Sequence, residues 1–260
     1  MAWNVKVRGE GRPLVLVHGI ASSLHIWNPL LPRLAAERRV ITVDLPGHGA
    51  TAPEPNPAQR LVPAMAARLV EEVRGVGVEA PFDVVGNSLG GWTALEVARI
   101  GAARSVVGLS PAGLWPGAGP SSIRRHFTVL RRTGRAVPGL AHRILNHPVG
   151  RTIALWTLFG RPWQVPADEA TVAFDGFVGC AGFTDLLAQL SPFHFEGGAA
   201  IGVPVTVAFG TRDFLLLPRT ARHRAELPPQ TRWVDLPGCG HVPTWDDPER
   251  VAQVILDGTA

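Results

Sequence analysis

A chain of 260 residues is long enough for one large α/β domain with a good core, or for two small ones. With 46% hydrophobic and 18% charged residues the composition excludes a disordered chain, and no uncharged apolar run approaches the length of about 20 residues that a membrane span needs. Two cysteines, Cys180 and Cys239, exclude a disulfide framework; with no signal-peptide-like apolar core in residues 1–8, a cytoplasmic protein is expected.

In chain order, residues 3–7 alternate and precede Gly9-Glu10-Gly11, the pattern of an antiparallel edge strand. Residues 14–17 form an apolar strand running into His18-Gly19, and residues 28–38 carry helical spacing. Residues 40–43 predict a strand that ends at Asp44-Leu45-Pro46-Gly47-His48-Gly49. A helix is expected over 57–74, with Leu61, Met65, Leu69 and Val73 on one face. Strands follow at 82–85 and 105–109, with the amphipathic helix 91–99 between them. Further strands are predicted at 203–209 and 231–236, and a final helix over 248–256 with proline in its first turn. Strands alternating with helices imply a mostly parallel twisted sheet with helices on both faces. The alternation breaks over residues 114–200, which read as an inserted helical segment between two sheet strands.

The net charge of +4 is carried almost wholly by arginine, Lys6 being the only lysine. No acidic residue lies between Glu96 and Asp168, while Arg124, Arg125, Arg131, Arg132, Arg135, Arg143, Arg151 and Arg161 all fall there. Such a stretch can attract anions, but no nucleic-acid-binding motif accompanies it. An arginine-covered solvent face on the inserted segment is the preferred reading.

Chemistry concentrates at Gly86-Asn87-Ser88-Leu89-Gly90, a serine between a predicted strand and a predicted helix with glycine two residues on either side. This is the pattern of a nucleophile elbow, in which the serine holds a strained turn and side chains at 86 and 90 would collide with neighbouring backbone. A serine hydroxyl needs a base. His241, on the glycine-rich loop after the last predicted strand, is the candidate. Asp213, just past the strand 203–209, is the acid expected to orient it, giving the chain order Ser, Asp, His. Asp246 and Asp247 are alternatives for that acid, but they precede Pro248 and read better as the start of the last helix. Backbone N–H groups of Leu89 and Ile20, with Ala21 as the neighbouring alternative, are expected to form an oxyanion hole. His18, Trp27 and Trp92 are candidate pocket residues. No histidine, acid and cysteine cluster has metal-ligand spacing, so neither a metal nor an organic cofactor is expected.

His18-Gly19, residues 44–49, residues 86–91, Gly210-Thr211-Arg212-Asp213 and Gly240-His241-Val242-Pro243 together resemble the successive motifs of the α/β-hydrolase superfamily. The resemblance implies a core of residues 1–113 and 201–260 and a variable helical cap at 114–200. It also implies a hydrolase, and Ser88 stands where dehalogenases and epoxide hydrolases of that superfamily carry aspartate. A serine esterase acting on a small to medium, largely hydrophobic molecule is therefore expected. The alternatives are a carbon–carbon bond hydrolase acting on a ring-fission-type diketone, and a noncatalytic ligand-binding protein on the same fold.

Overall fold

The structure is a computed structural model that describes residues 2–56, 58, 61–181 and 183–260. The chain begins with β1 (Val5–Arg8), β2 (Pro13–Val17), a 3-10 turn at Leu24–Trp27, α1 (Leu31–Ala35), β3 (Arg39–Val43) and α2 (Val62–Gly75). It continues through β4 (Phe82–Asn87), α3 (Leu89–Arg99) and β5 (Ala103–Leu109). Among the described residues five α-helices then follow without a strand: α4 (Ser121–Ala136), α5 (Pro138–Leu145), α6 (Pro148–Leu155), α7 (Ala167–Gly179) and α8 (Phe183–Leu190). The chain returns through β6 (Val205–Gly210), α9 (Pro218–Ala221), β7 (Arg232–Leu236) and α10 (Pro248–Gly258).

The seven strands lie in the order β1-β3-β2-β4-β5-β6-β7. Only β1 is antiparallel, with Val5 opposite Val43, as its alternating pattern predicts. The inner parallel strands β2 to β6 are largely buried on both faces, as sheets covered on both sides must be, while the edge strand β7 is partly exposed. Their alternate residues divide between two apolar layers. Val15, Val84 and Val106 meet Leu69 of α2 and Leu95 of α3. Leu16, Val85 and Val107 meet Leu34 of α1 and Ile255 of α10. Each such side chain taken from water stabilises the fold by about 1.5–3 kcal/mol.

Several boundaries differ from the sequence expectation. Of the helix predicted over 28–38 only the five-residue α1 forms, after a turn at 28–30 that follows the 3-10 segment Leu24–Trp27. Pro32 has no N–H and is suited to a first turn, so it sets the start of α1. The start expected at Pro57 for the next helix lies outside the described residues, and α2 runs from Val62. β6 begins at Val205, after Pro204, which has no N–H to give to a sheet ladder.

Residues 114–200 do contain α4 to α8, but their arginines are not all on a solvent face. Arg131 and Arg151 are only 6% and 7% exposed. Arg131 donates to the carbonyls of Val178 and Cys180, linking α4 to the end of α7. Arg151 donates to Leu145 O at 2.8 Å and closes the turn between α5 and α6. Among the described residues no helix is long and apolar enough to cross a membrane.

Candidate active site

β4 is a central strand, and Ser88 follows its last residue at the carboxyl edge of the sheet, where open α/β sheets place their ligands. Ser88 has φ 55° and ψ −116°, a conformation costing roughly 1–3 kcal/mol that the surroundings must hold in place. Three backbone bonds hold it. Ser88 N–H donates to Leu109 O at 3.0 Å, while Ser88 O accepts from Trp92 at 3.1 Å and Ala112 at 2.9 Å. The two glycines are sterically required. A Cβ at Gly86 would stand 2.0 Å from Gly90 O, and one at Gly90 would stand 2.0 Å from Val17 O. The elbow therefore packs against β2 on one side and its own helix on the other.

Asp213 and His241 follow β6 and β7 and reach the same edge. His241 Nδ1 lies 3.1 Å from Asp213 Oδ2. A carboxylate can only accept, so Nδ1 carries the proton and Nε2 of the neutral ring is left as a base. Asp213 Oδ1 accepts from the amides of Leu215 at 3.0 Å and Leu216 at 2.8 Å. Burial pushes the Asp213 carboxyl up, but His241 and the Leu216 amide outweigh it and hold it below the usual 3.8.

Two residues brace this pair: Asn87, to which sequence reasoning gave no role, and Asp246, which it placed at the start of the last helix. Asn87 Nδ2 donates to His241 O at 2.9 Å and to Leu109 O at 3.0 Å, so the residue before Ser88 grips the backbone of His241. Asp246, expected to open the last helix, is 1% exposed and does something else. Its Oδ2 accepts from Gly240 N–H at 2.7 Å and Gly160 N–H at 2.8 Å, and its Oδ1 accepts from Arg161 N–H at 2.7 Å. It thus fastens the His241 loop to the segment after α6. Asp247 alone caps α10, accepting from Arg250 N–H at 3.2 Å.

The amides of Leu89 and Ile20 donate to no acceptor among the described residues. The Ala21 amide faces the Cys180 thiol, which burial pushes up to about 11. Ile20 is thus the free donor of the two. The loop that carries it is held by Asp44, whose carboxylate accepts from Leu24 N–H at 2.8 Å and Ala50 N–H at 3.0 Å.

Two cavities meet at Ser88. The larger, about 240 Å³, is lined by Ser88, His241, Ile20 and apolar residues of α4 to α7, among them Phe127 and Phe174. The smaller, about 60 Å³, is lined by Ser88, Leu89 and Trp92 on its sheet side. The pocket residues expected from sequence separate here. Trp92 walls the smaller cavity, whereas His18 and Trp27 are fully buried and line neither. Both nitrogens of His18 are occupied, Nδ1 by Gly19 O at 2.7 Å and Nε2 by Leu45 N–H at 3.0 Å. Trp27 packs with Leu16 and Leu30 beneath the sheet.

Comparisons against known proteins bear on the fold and the family. The chain is 33% identical over 181 residues to the epoxide hydrolase EphH of Mycobacterium tuberculosis, covering 66% of this chain and 83% of the relative. Among solved structures, the enol-lactonase of Burkholderia xenovorans superposes with a TM-score of 0.77 at 19% identity, covering 98% of this chain and 95% of that one. The naproxen esterase of Bacillus subtilis superposes with a TM-score of 0.74 at 20% identity, covering 97% and 86%. At those identities the two structures attest the fold alone. The model of the alpha/beta hydrolase family matches residues 14–254, which span β2 to α10 and every residue of the site described above. With that match and the EphH relationship, the chain belongs to the alpha/beta hydrolase family and is an enzyme of the hydrolase class.

Proposed function

We propose that this chain is a serine hydrolase cleaving a carboxylic ester of a small to medium, largely apolar molecule. One observation carries the reading: a strained Ser88 and a His241 ring already oriented by Asp213 line the same apolar cavity. Residues 1–113 and 201–260 act as the hydrolase core and residues 114–200 as its cap, supported by the cavity walls that α4 to α7 supply. The aspartate nucleophile that the family resemblance implies for epoxide hydrolases is a serine here, so the EphH relationship supports the fold and the hydrolase class but not epoxide opening.

In the first half-reaction, Ser88 Oγ bonds to the carbonyl carbon as His241 Nε2 takes the hydroxyl proton. The carbonyl oxygen becomes an oxyanion held by the Ile20 and Leu89 amides, at the positive end of the α3 dipole. His241 passes the proton to the leaving oxygen, the carbon–oxygen bond breaks, and the alcohol departs. Water then attacks the acyl-enzyme, gives a proton to His241, and releases the acid as the proton returns to Ser88. Asp213 stays ionised throughout, stabilising the imidazolium.

The test is hydrolysis of 4-nitrophenyl acetate by wild type, Ser88→Ala and Asp213→Asn. Wild-type turnover should fall by roughly 10⁴-fold or more in each variant. Turnover by Ser88→Ala within about 10-fold of wild type would rule out the acyl-serine route.

A further inference from the structure

Resting on the serine-hydrolase reading, we propose that the two cavities at Ser88 divide the substrate unequally, fitting the protein to esters of short-chain acids with bulky apolar alcohols. The partition is built from side chains. Ser88, Ile20 and Phe127 line both cavities, so Ile20 and Phe127 form the wall between them. Phe127 is 6% exposed and fixed edge-on against Phe183, with ring centroids 5.9 Å apart. It does not swing aside without disturbing the aromatic cluster of α4, α7 and α8.

Which part of the ester lies on which side follows from proton transfer. His241 must reach the leaving oxygen as its bond to carbon breaks, so the alcohol extends on the His241 side. His241 and Asn87 line the larger cavity and not the smaller. The acyl chain leaves the same carbon in the other direction, into the space walled by Leu89, Trp92, Leu190 and Leu216. Trp92 and Trp115 close that space, their rings perpendicular at 6.0 Å.

Size then sets the substrate class. A water-sized group needs about 10–15 Å³ of such space, so the smaller cavity of about 60 Å³ holds roughly five of them and the larger of about 240 Å³ roughly twenty. An acyl chain of a few carbons fills the first. A bicyclic or long-chain alcohol fits only the second. The walls of both are predominantly apolar, and the one arginine at the smaller, Arg124, is exposed.

The test uses two isomeric esters that present the same groups in reversed order: 2-naphthylmethyl propanoate and ethyl 2-naphthylacetate. Both release a primary alcohol, so leaving-group chemistry is matched. The 260-residue chain should favour the propanoate by at least about 10-fold in kcat/KM, the scale of discrimination that apolar pockets reach per misplaced group. Lengthening the acyl chain from propanoate to decanoate should lower kcat/KM by a similar factor. Ala141→Trp, which fills the larger cavity, should lower the propanoate-to-naphthylacetate ratio. Equal or reversed preference, or hydrolysis of neither ester, overturns the assignment of the cavities while a fluorophosphonate that labels Ser88 keeps the nucleophile reading intact. No Ser88-dependent labelling overturns both.

Discussion

Acid should weaken this fold well before its carboxylates protonate, and His48 supplies the magnitude. Its ring is 2% exposed, with Nδ1 donating to Pro46 O at 2.8 Å and Nε2 buried without a hydrogen-bond partner among the described residues. His18 lies 5.3 Å away, ring centre to ring centre, and Asp44 is the charged neighbour. Burial above all, then His18, lowers the His48 pKa from 6.5 to about 3, against the opposing pull of the Pro46 and Leu45 carbonyls and of Asp44. The folded state thus binds fewer protons than the unfolded state between those two values. Stability is full above about pH 6.5 and falls as pH drops toward 3, at about 1.4 kcal/mol per unit. From about pH 7.5 to pH 5 the loss from His48 alone is about 2 kcal/mol. His18, also lowered by burial, adds in the same direction. Urea unfolding of wild type and His48→Gln at the two pH values measures this. The variant should lose about 2 kcal/mol less than wild type over that interval. Equal losses would refute the buried, neutral imidazole.

Three further perturbations probe the scaffold. Gly90→Ala should destabilise by about 3 kcal/mol or more in thermal melts, because its Cβ would meet Val17 O at 2.0 Å. Gly176→Ala, mid-helix in α7 with nothing within 4 Å of the new Cβ, should stabilise by about 0.5–1 kcal/mol. Asp246→Asn cannot accept at both side-chain ends, so at least one of the Gly240, Gly160 and Arg161 amides loses its partner. Denaturant titration should show a loss of about 1–3 kcal/mol, and ester hydrolysis should slow because the His241 loop is loosened.

The candidate site was legible in sequence wherever the chemistry is local. Gly86 to Gly90 states its own strain, and His241 and Asp213 each stand at the end of a strand whose direction the alternation of elements supplies. The edge strand β1 was legible for the same reason. What sequence did not reveal depends on partners distant in the chain. Asp246 reads as a helix-start aspartate until Gly160, 86 residues away, is found against it. Asn87 reads as filler in the elbow until its contact with His241, 154 residues on, is seen. Arg131 and Arg151 look like solvent arginines because their acceptors are backbone carbonyls, which leave no mark in composition. His18 and Trp27 look like pocket residues because they sit near the right loops, yet their side chains turn into the core. The two cavities at Ser88 exist only once α4 to α8 are folded over the sheet edge.

In the proposed reaction Ser88 is the nucleophile, activated by His241 and Asp213. Its most direct test is to treat the protein with a fluorophosphonate and map the adduct by peptide mass spectrometry. One adduct is expected, on Ser88, with labelling lost in Ser88→Ala and strongly slowed in His241→Ala. An adduct on another residue, or labelling that survives Ser88→Ala, would contradict it.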